Sequence, residues 1–185
     1  MKRLSVVILS FFLLATGCIS DQENADVILQ REIQAFEKYI ADNNVTGVKE
    51  ERDPGLGFIF IWKETSESGV KPVPGQRVTV DYVGKFLENV VFDTSKEAVA
   101  KANNIFNANR IYEPLTYTFN AGSVIPGFDF AVSKMDIGDK ILAFIPSLYA
   151  YGRAGSPPVI GGNTPLIFEL ELLPTILEEE DESDD

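Results

Sequence analysis

In the stretch PLIFELELL, residues 165–173, Leu166, Phe168, Leu170 and Leu172 fall on one side and Glu169 and Glu171 on the other. A period of two marks a strand with one buried face. That face obliges the chain to supply an apolar partner. Further strands are expected in GFIFIWKET (57–65), VTVDYVGKF (78–86), PLTYTF (114–119) and DKILAFIP (139–146), all rich in aromatic and β-branched residues. One segment changes period. In GFDFAVSKMDIGD, residues 127–139, Phe128, Ala131, Val132 and Met135 recur at helical spacing, an apolar stripe over which a sheet can curl. Gly138 is expected to stop this helix. Strands closing on one amphipathic helix make an α+β domain.

The ends of the 185-residue chain read differently. Lys2 and Arg3 precede an apolar run from Leu4 to Ala15, which is too short to span a bilayer and has the layout of a cleaved signal over residues 1–17. Cys18, the sole cysteine, closes LATGC. This resembles a bacterial lipobox, with Ala15 where leucine is usual, and implies a lipidated cysteine that anchors the protein to a membrane. SDQE just after it resembles the surface-export signals of Bacteroidetes lipoproteins. The expected location is the cell envelope, at the outer membrane, on its periplasmic side or on the cell surface. Within residues 18–52, Val27, Ile28, Arg31, Phe36, Tyr39 and Ile40 form a loose helical stripe ending at Asn43 and Asn44. Such a helix either stands as a spacer or packs on the domain. Residues 45–56 are polar with interspersed glycine, so a domain over 53–175 is expected. The last eight residues, EEEDESDD, hold seven acids of a chain whose net charge is −12. Residues 176–185 are therefore read as a solvated tail. With no basic stripe, nucleic acid is not an expected partner.

The absence of histidine removes Ser-His and Cys-His nucleophile pairs and histidine-ligated metals from consideration. No phosphate-binding loop is found. Glu169 and Glu171 point away from the apolar side of their strand and are expected on a solvated face. What remains is apolar and aromatic surface beside glycine turns, above all in YAYGRAGSPPVIGG, residues 149–162. Rotation about an X-Pro amide is a reaction suited to such a site. Its barrier is about 20 kcal/mol and arises from amide resonance. An apolar pocket that grips the proline ring favours the twisted amide without acid, base or cofactor.

Six motifs in order, PGQRVTVDYVG, VVFDTS, SVIPGFDFAV, MDIGDK, IPSLYAYG and TPLIFELELL, resemble the FKBP-type peptidyl-prolyl cis-trans isomerases over residues 54–174. The resemblance implies an antiparallel β-sheet half-wrapped around a short α-helix, here preceded by a spacer helix. It implies that Tyr82 forms one wall of a prolyl pocket, with Phe92 as an apolar wall and Asp93 as its one acid. Val124 and Ile125 would line the side, the Ile125 N–H bonding a substrate carbonyl. Phe128 would be the floor, where tryptophan is frequent in the family. Tyr151 would offer its hydroxyl to a carbonyl, and Ile160 and Phe168 would close the pocket. Leu115, at a position often aromatic, and Val159 would contact substrate. Residues 149–162 would form the overhanging flap, expected to be loosened by Gly161-Gly162. Implied partners are proline-containing unfolded or nascent exported proteins, and macrolides of the rapamycin type. No cofactor is implied.

Two matters stay open on sequence alone. A non-catalytic chaperone or binding module on the same fold, or an adhesive surface lipoprotein, would share many of these features. Residues 94–113 are also longer than the family's usual connection. SKEAVAKANN has helical spacing with Val99 and Ala102 on one side, and Ile105, Phe106, Ile111 and Tyr112 follow. The insertion either packs on the domain's own edge or forms an extra wall beside the prolyl site.

Overall fold

The computed structural model describes residues 25–174. Residues 1–17, Cys18 and the acidic tail, and with them the signal, lipidation and tail expectations, lie outside the described residues. The chain runs α1 (Ala25–Asp42), β1 (Lys49–Asp53), β2 (Phe58–Glu64), β3 (Arg77–Lys85), β4 (Val91–Thr94), α2 (Glu97–Ala102), β5 (Leu115–Thr118), α3 (Pro126–Lys134), β6 (Lys140–Ile145), a 3-10 turn over Ser147–Tyr149, and β7 (Leu166–Leu173). Every strand pairing is antiparallel. The seven-stranded sheet has the order β1-β2-β6-β7-β3-β4. β5 shares an edge with β4: Arg77–Val80 of β3 pair with β5 and Val83–Lys85 with β4. The break between them lets the chain leave the sheet beside Asp93.

β2 explains the architecture. Its residues Phe58 to Trp62 are all buried. Phe58, Phe60 and Trp62 join the core under α3, while Ile59 and Ile61 join a second cluster on the opposite face. A strand that is apolar on both sides needs cover on both sides. β6 repeats the pattern, with Ile141, Ala143 and Ile145 inward and Leu142 and Phe144 outward. The inner cover is α3, whose Phe128, Ala131 and Val132 are buried, with Met135 as the capping residue. The helix therefore ends before Gly138, the expected stop. Gly138 instead takes a positive φ of 97° in the turn leading into β6.

The outer cover is α1, which is docked on the sheet through Phe36 and Tyr39, both packed on Phe144 at ring separations of 5.4 and 5.6 Å. The stripe differs from the sequence expectation. Val27 and Arg31 are exposed, and Glu32 takes a buried place. The helix crosses so close to the chain at Gly57 that a Cβ there would lie 2.5 Å from Leu29 Cδ1. Residues 45–56 also depart from the polar lead-in expected of them. KEERD forms the edge strand β1, in register with β2 from Lys49↔Trp62 to Asp53↔Phe58. Beyond the end of α1 the outer face is charged. Lys85 pairs with Glu169 at 2.7 Å, and Lys96 and Lys140 both reach Glu171.

Candidate active site

The inner face of β3 presents Tyr82, β4 presents Phe92, β7 presents Phe168, and the first turn of α3 presents Phe128. The four rings form a box. Phe128 and Phe168 meet edge-to-face at 5.4 Å and 87°, and Phe92 meets Phe168 at 5.7 Å and 88°. Tyr82 stands 6.1 Å from Phe128 and 6.3 Å from Phe168. Edge-to-face packing aligns ring quadrupoles favourably and holds each ring at a set angle. Leu115, Val124, Ile125 and Ile160 pack on the same cluster. Val159 does not: it is more than half exposed and belongs to neither apolar cluster.

The polar groups sit at the edge of the box. Tyr82 donates its hydroxyl to Asp93 Oδ2 at 2.7 Å, and the Thr94 N–H donates to Oδ1 at 2.8 Å. Sequence reasoning missed the third member. Arg110, from the insertion, pairs through Nη1 with Asp93 and donates from Nη2 to the Tyr82 oxygen at 3.0 Å. The available signal was its being the one arginine between Asp93 and Pro114. Burial pushes the Tyr82 pKa up to about 12, helped by the bond to Asp93 and its charge and opposed by Arg110. Burial also raises Tyr151, with the charge of Asp93 adding to it. Both phenols are therefore neutral donors at ordinary pH and not bases. Among the described residues, the Tyr151 hydroxyl and the Ile125 N–H have no hydrogen-bond acceptor. The Ile125 carbonyl, by contrast, accepts from Phe128 and Asp129 at 3.0 and 3.3 Å.

The flap is tied down. Its residues Ser156 and Ile160 form a bridge, and the Asn163 N–H donates to the Gly152 carbonyl at 2.8 Å. Gly161-Gly162 lies at a close backbone approach. A Cβ on Gly162 would stand 2.2 Å from the Arg153 carbonyl oxygen, so glycine permits the two backbone segments to touch.

The insertion is ordered by its own side chains. Phe106 and Tyr112 stack at 5.6 Å, and the Asn107 N–H donates to the Tyr112 oxygen at 2.9 Å. In α2 the buried residue is Ala100, while Ala102, expected on the packed side, is exposed. Phe106 is 42% exposed and Ile111 79%. A groove of about 640 Å³ runs between the insertion and β5 and is lined by Tyr82, Arg110, Ile111 and Leu115 among others.

Residues 68–173 match the family model described as FKBP-type peptidyl-prolyl cis-trans isomerase, more than half of the chain. The chain is 35% identical over 125 residues to FK506-binding protein 1A of Aspergillus fumigatus, covering 68% of this chain and 90% of that protein. It is 34% identical over 102 residues to FK506-binding protein 1 of Kluyveromyces lactis, covering 55% and 78%. It is also 33% identical over 116 residues to the peptidyl-prolyl cis-trans isomerase FKBP4 of Mus musculus, covering 63% of this chain but 22% of that longer protein. The matched span carries the aromatic box, the flap and the Tyr82–Asp93–Arg110 cluster, and with these the chain belongs to the FKBP-type peptidyl-prolyl cis-trans isomerases.

Proposed function

We propose that the protein accelerates cis–trans exchange at X-Pro bonds of exported polypeptides while held to a membrane by a lipidated Cys18. The observation that carries the catalytic part is the four-ring box of Tyr82, Phe92, Phe128 and Phe168 beside two donors without internal acceptors, Tyr151 Oη and Ile125 N–H. A proline ring in the box leaves water. Amide twisting makes the nitrogen more amine-like and the carbonyl less polar, so the apolar walls favour the twisted form over the planar one. The two donors hold neighbouring carbonyls and fix the peptide while the bond rotates. Asp93, held by Tyr82, Thr94 and Arg110, orients the wall and transfers no proton. The names of the similar proteins, which are FK506-binding proteins, support a macrolide of the FK506 type as a competing ligand for this box.

Purified protein is expected to accelerate exchange of an X-Pro tetrapeptide above the uncatalysed rate, and no acceleration would end the catalytic reading. The envelope part of the proposal rests on the signal-like segment and LATGC. Replacing Cys18 by Ser should release the protein from membranes, and unchanged partition would remove the anchor.

One observation favours an added role in holding clients. The exposed Ile111 and Phe106 stand on the insertion whose Arg110 reaches the site. Ile111→Ser with Phe106→Ser should slow refolding of a proline-limited protein while sparing tetrapeptide exchange. Equal rates on both substrates would leave the insertion a purely structural feature.

A further inference from the structure

We propose that Glu32 on α1 is a positioning residue for Tyr151, joining the N-terminal helix to the flap of the prolyl site through Ser147. The proposal rests on the isomerase reading above.

Glu32 is 4% exposed and faces the start of the 3-10 turn. Its Oε2 accepts the Ser147 N–H at 2.9 Å, and its Oε1 accepts the Ser147 hydroxyl at 2.5 Å. Ser147 is itself buried. The Ser147 carbonyl in turn accepts two N–H groups, from Ala150 at 3.0 Å and from Gly152 at 2.8 Å. Those two residues flank Tyr151. An unbroken chain of hydrogen bonds thus runs from a carboxylate on the outer side of the sheet to the backbone on both sides of the site tyrosine.

A buried carboxylate is an expensive way to dock a helix. Leucine or methionine at position 32 would keep the apolar contact of α1 but leave the Ser147 N–H without an acceptor. Two acceptor atoms in one plane also fix the orientation of Ser147, which an apolar contact does not. The burial of Glu32 raises its pKa, and the two bonds from Ser147 offset this only in part. The position therefore favours geometry over stability. Tyr151 makes no hydrogen bond through its hydroxyl among the described residues, so its aim depends on its backbone.

The test is a double-mutant cycle in the full chain, read by kcat/KM on an X-Pro tetrapeptide. Glu32→Ala is expected to lower kcat/KM about fivefold in wild type and less than about twofold in a Tyr151→Phe background, because the two act as a unit. Glu32→Gln, whose amide can still accept from the Ser147 N–H, should recover more than half of the loss. Hydrogen exchange at the Gly152 amide should quicken about tenfold in Glu32→Ala while amides of β6 stay protected. A folded Glu32→Ala protein of wild-type activity overturns the proposal. So does the same fold loss in the Tyr151→Phe background, or faster exchange spread evenly over the domain. If Glu32→Ala fails to fold, Ser147→Ala, which removes the hydroxyl arm only, must show the same coupling to Tyr151, and additive losses overturn the proposal. Absence of activity in wild type would defeat the isomerase reading and, with it, the role for Glu32 in positioning a catalytic group.

Discussion

The two faces of the sheet are built alike and used differently. Each is closed by one helix and, among the described residues, each carries one buried carboxylate. On the inner face, α3 covers the large cluster, and Asp139 accepts from Trp62 Nε1 at 2.8 Å, Ser66 N at 2.8 Å, Ser66 Oγ at 3.1 Å and Asp136 N at 3.0 Å. On the outer face, α1 covers a small cluster, and Glu32 accepts two bonds from one residue. Burial would raise both acids. Four donors outweigh it at Asp139 and hold its pKa below the ordinary value, whereas two donors leave Glu32 raised. The acid in the family-matched span is bound for stability, while the acid outside that span, on α1, is bound less completely and reaches toward the flap.

The largest expected effect separates the faces by function. Phe168→Ala and Phe36→Ala each remove a buried ring and should each cost about 3–5 kcal/mol in denaturant unfolding. Only Phe168→Ala should also reduce peptide exchange more than about tenfold, since it opens a wall of the box. Equal activity losses from the two would erase the distinction.

Next in size is the removal of each acid. Asp139→Ala strands three N–H donors and a hydroxyl and should lower stability by about 3–5 kcal/mol. Glu32→Ala strands one N–H and a hydroxyl and should cost about 1–3 kcal/mol. A Glu32 variant less stable than the Asp139 variant would reverse the comparison.

The smallest effect has opposite signs on the two faces. Asp139 has a lowered folded pKa, so its contribution is present above its ordinary value of 3.8 and is lost as pH falls through the folded value. Glu32 has a raised folded pKa, so its contribution is full below its ordinary value of 4.5 and is lost as pH rises through the folded value. The stability gap between wild type and Asp139→Asn should therefore widen from acid to neutral pH, while the gap to Glu32→Gln should narrow. Unfolding curves at several pH values measure both, and gaps moving the same way would contradict the assignment.

How far the sequence revealed these features follows from what each is made of. The five expected strands and α3 were legible because burial writes a period into the residues, as in Leu166, Phe168, Leu170 and Leu172. The box residues were legible through their motifs. The motifs holding Tyr82, Phe128 and Phe168 lie on those strands and that helix, whereas Phe92 lies on β4, a four-residue strand that no expected segment covered. β1 was not legible, because an edge strand of KEERD buries little and writes no apolar period. The inner side of α1 was misjudged because one of its three buried residues, Glu32, is an acid, which no hydrophobic stripe contains. Arg110 was missed because it meets Asp93 and Tyr82 only through the fold of the insertion, across sequence separations of 17 and 28 residues. Ala100 was missed in favour of Val99 and Ala102 because so short a helix leaves its buried side ambiguous.

The apolar outward residues of β2 and β6 bear on how the molecule behaves in solution. A chain begun at Asp53 would keep every strand except β1 but would lose α1. Ile59, Ile61, Leu142, Phe144 and Ile167 would then lie bare as one continuous patch. Contiguous apolar surface of that kind drives self-association. Such a fragment would retain the aromatic box and still sediment as oligomers or precipitate with rising concentration. The helix that sequence reading placed before the domain is, in colloidal terms, the cover over that patch.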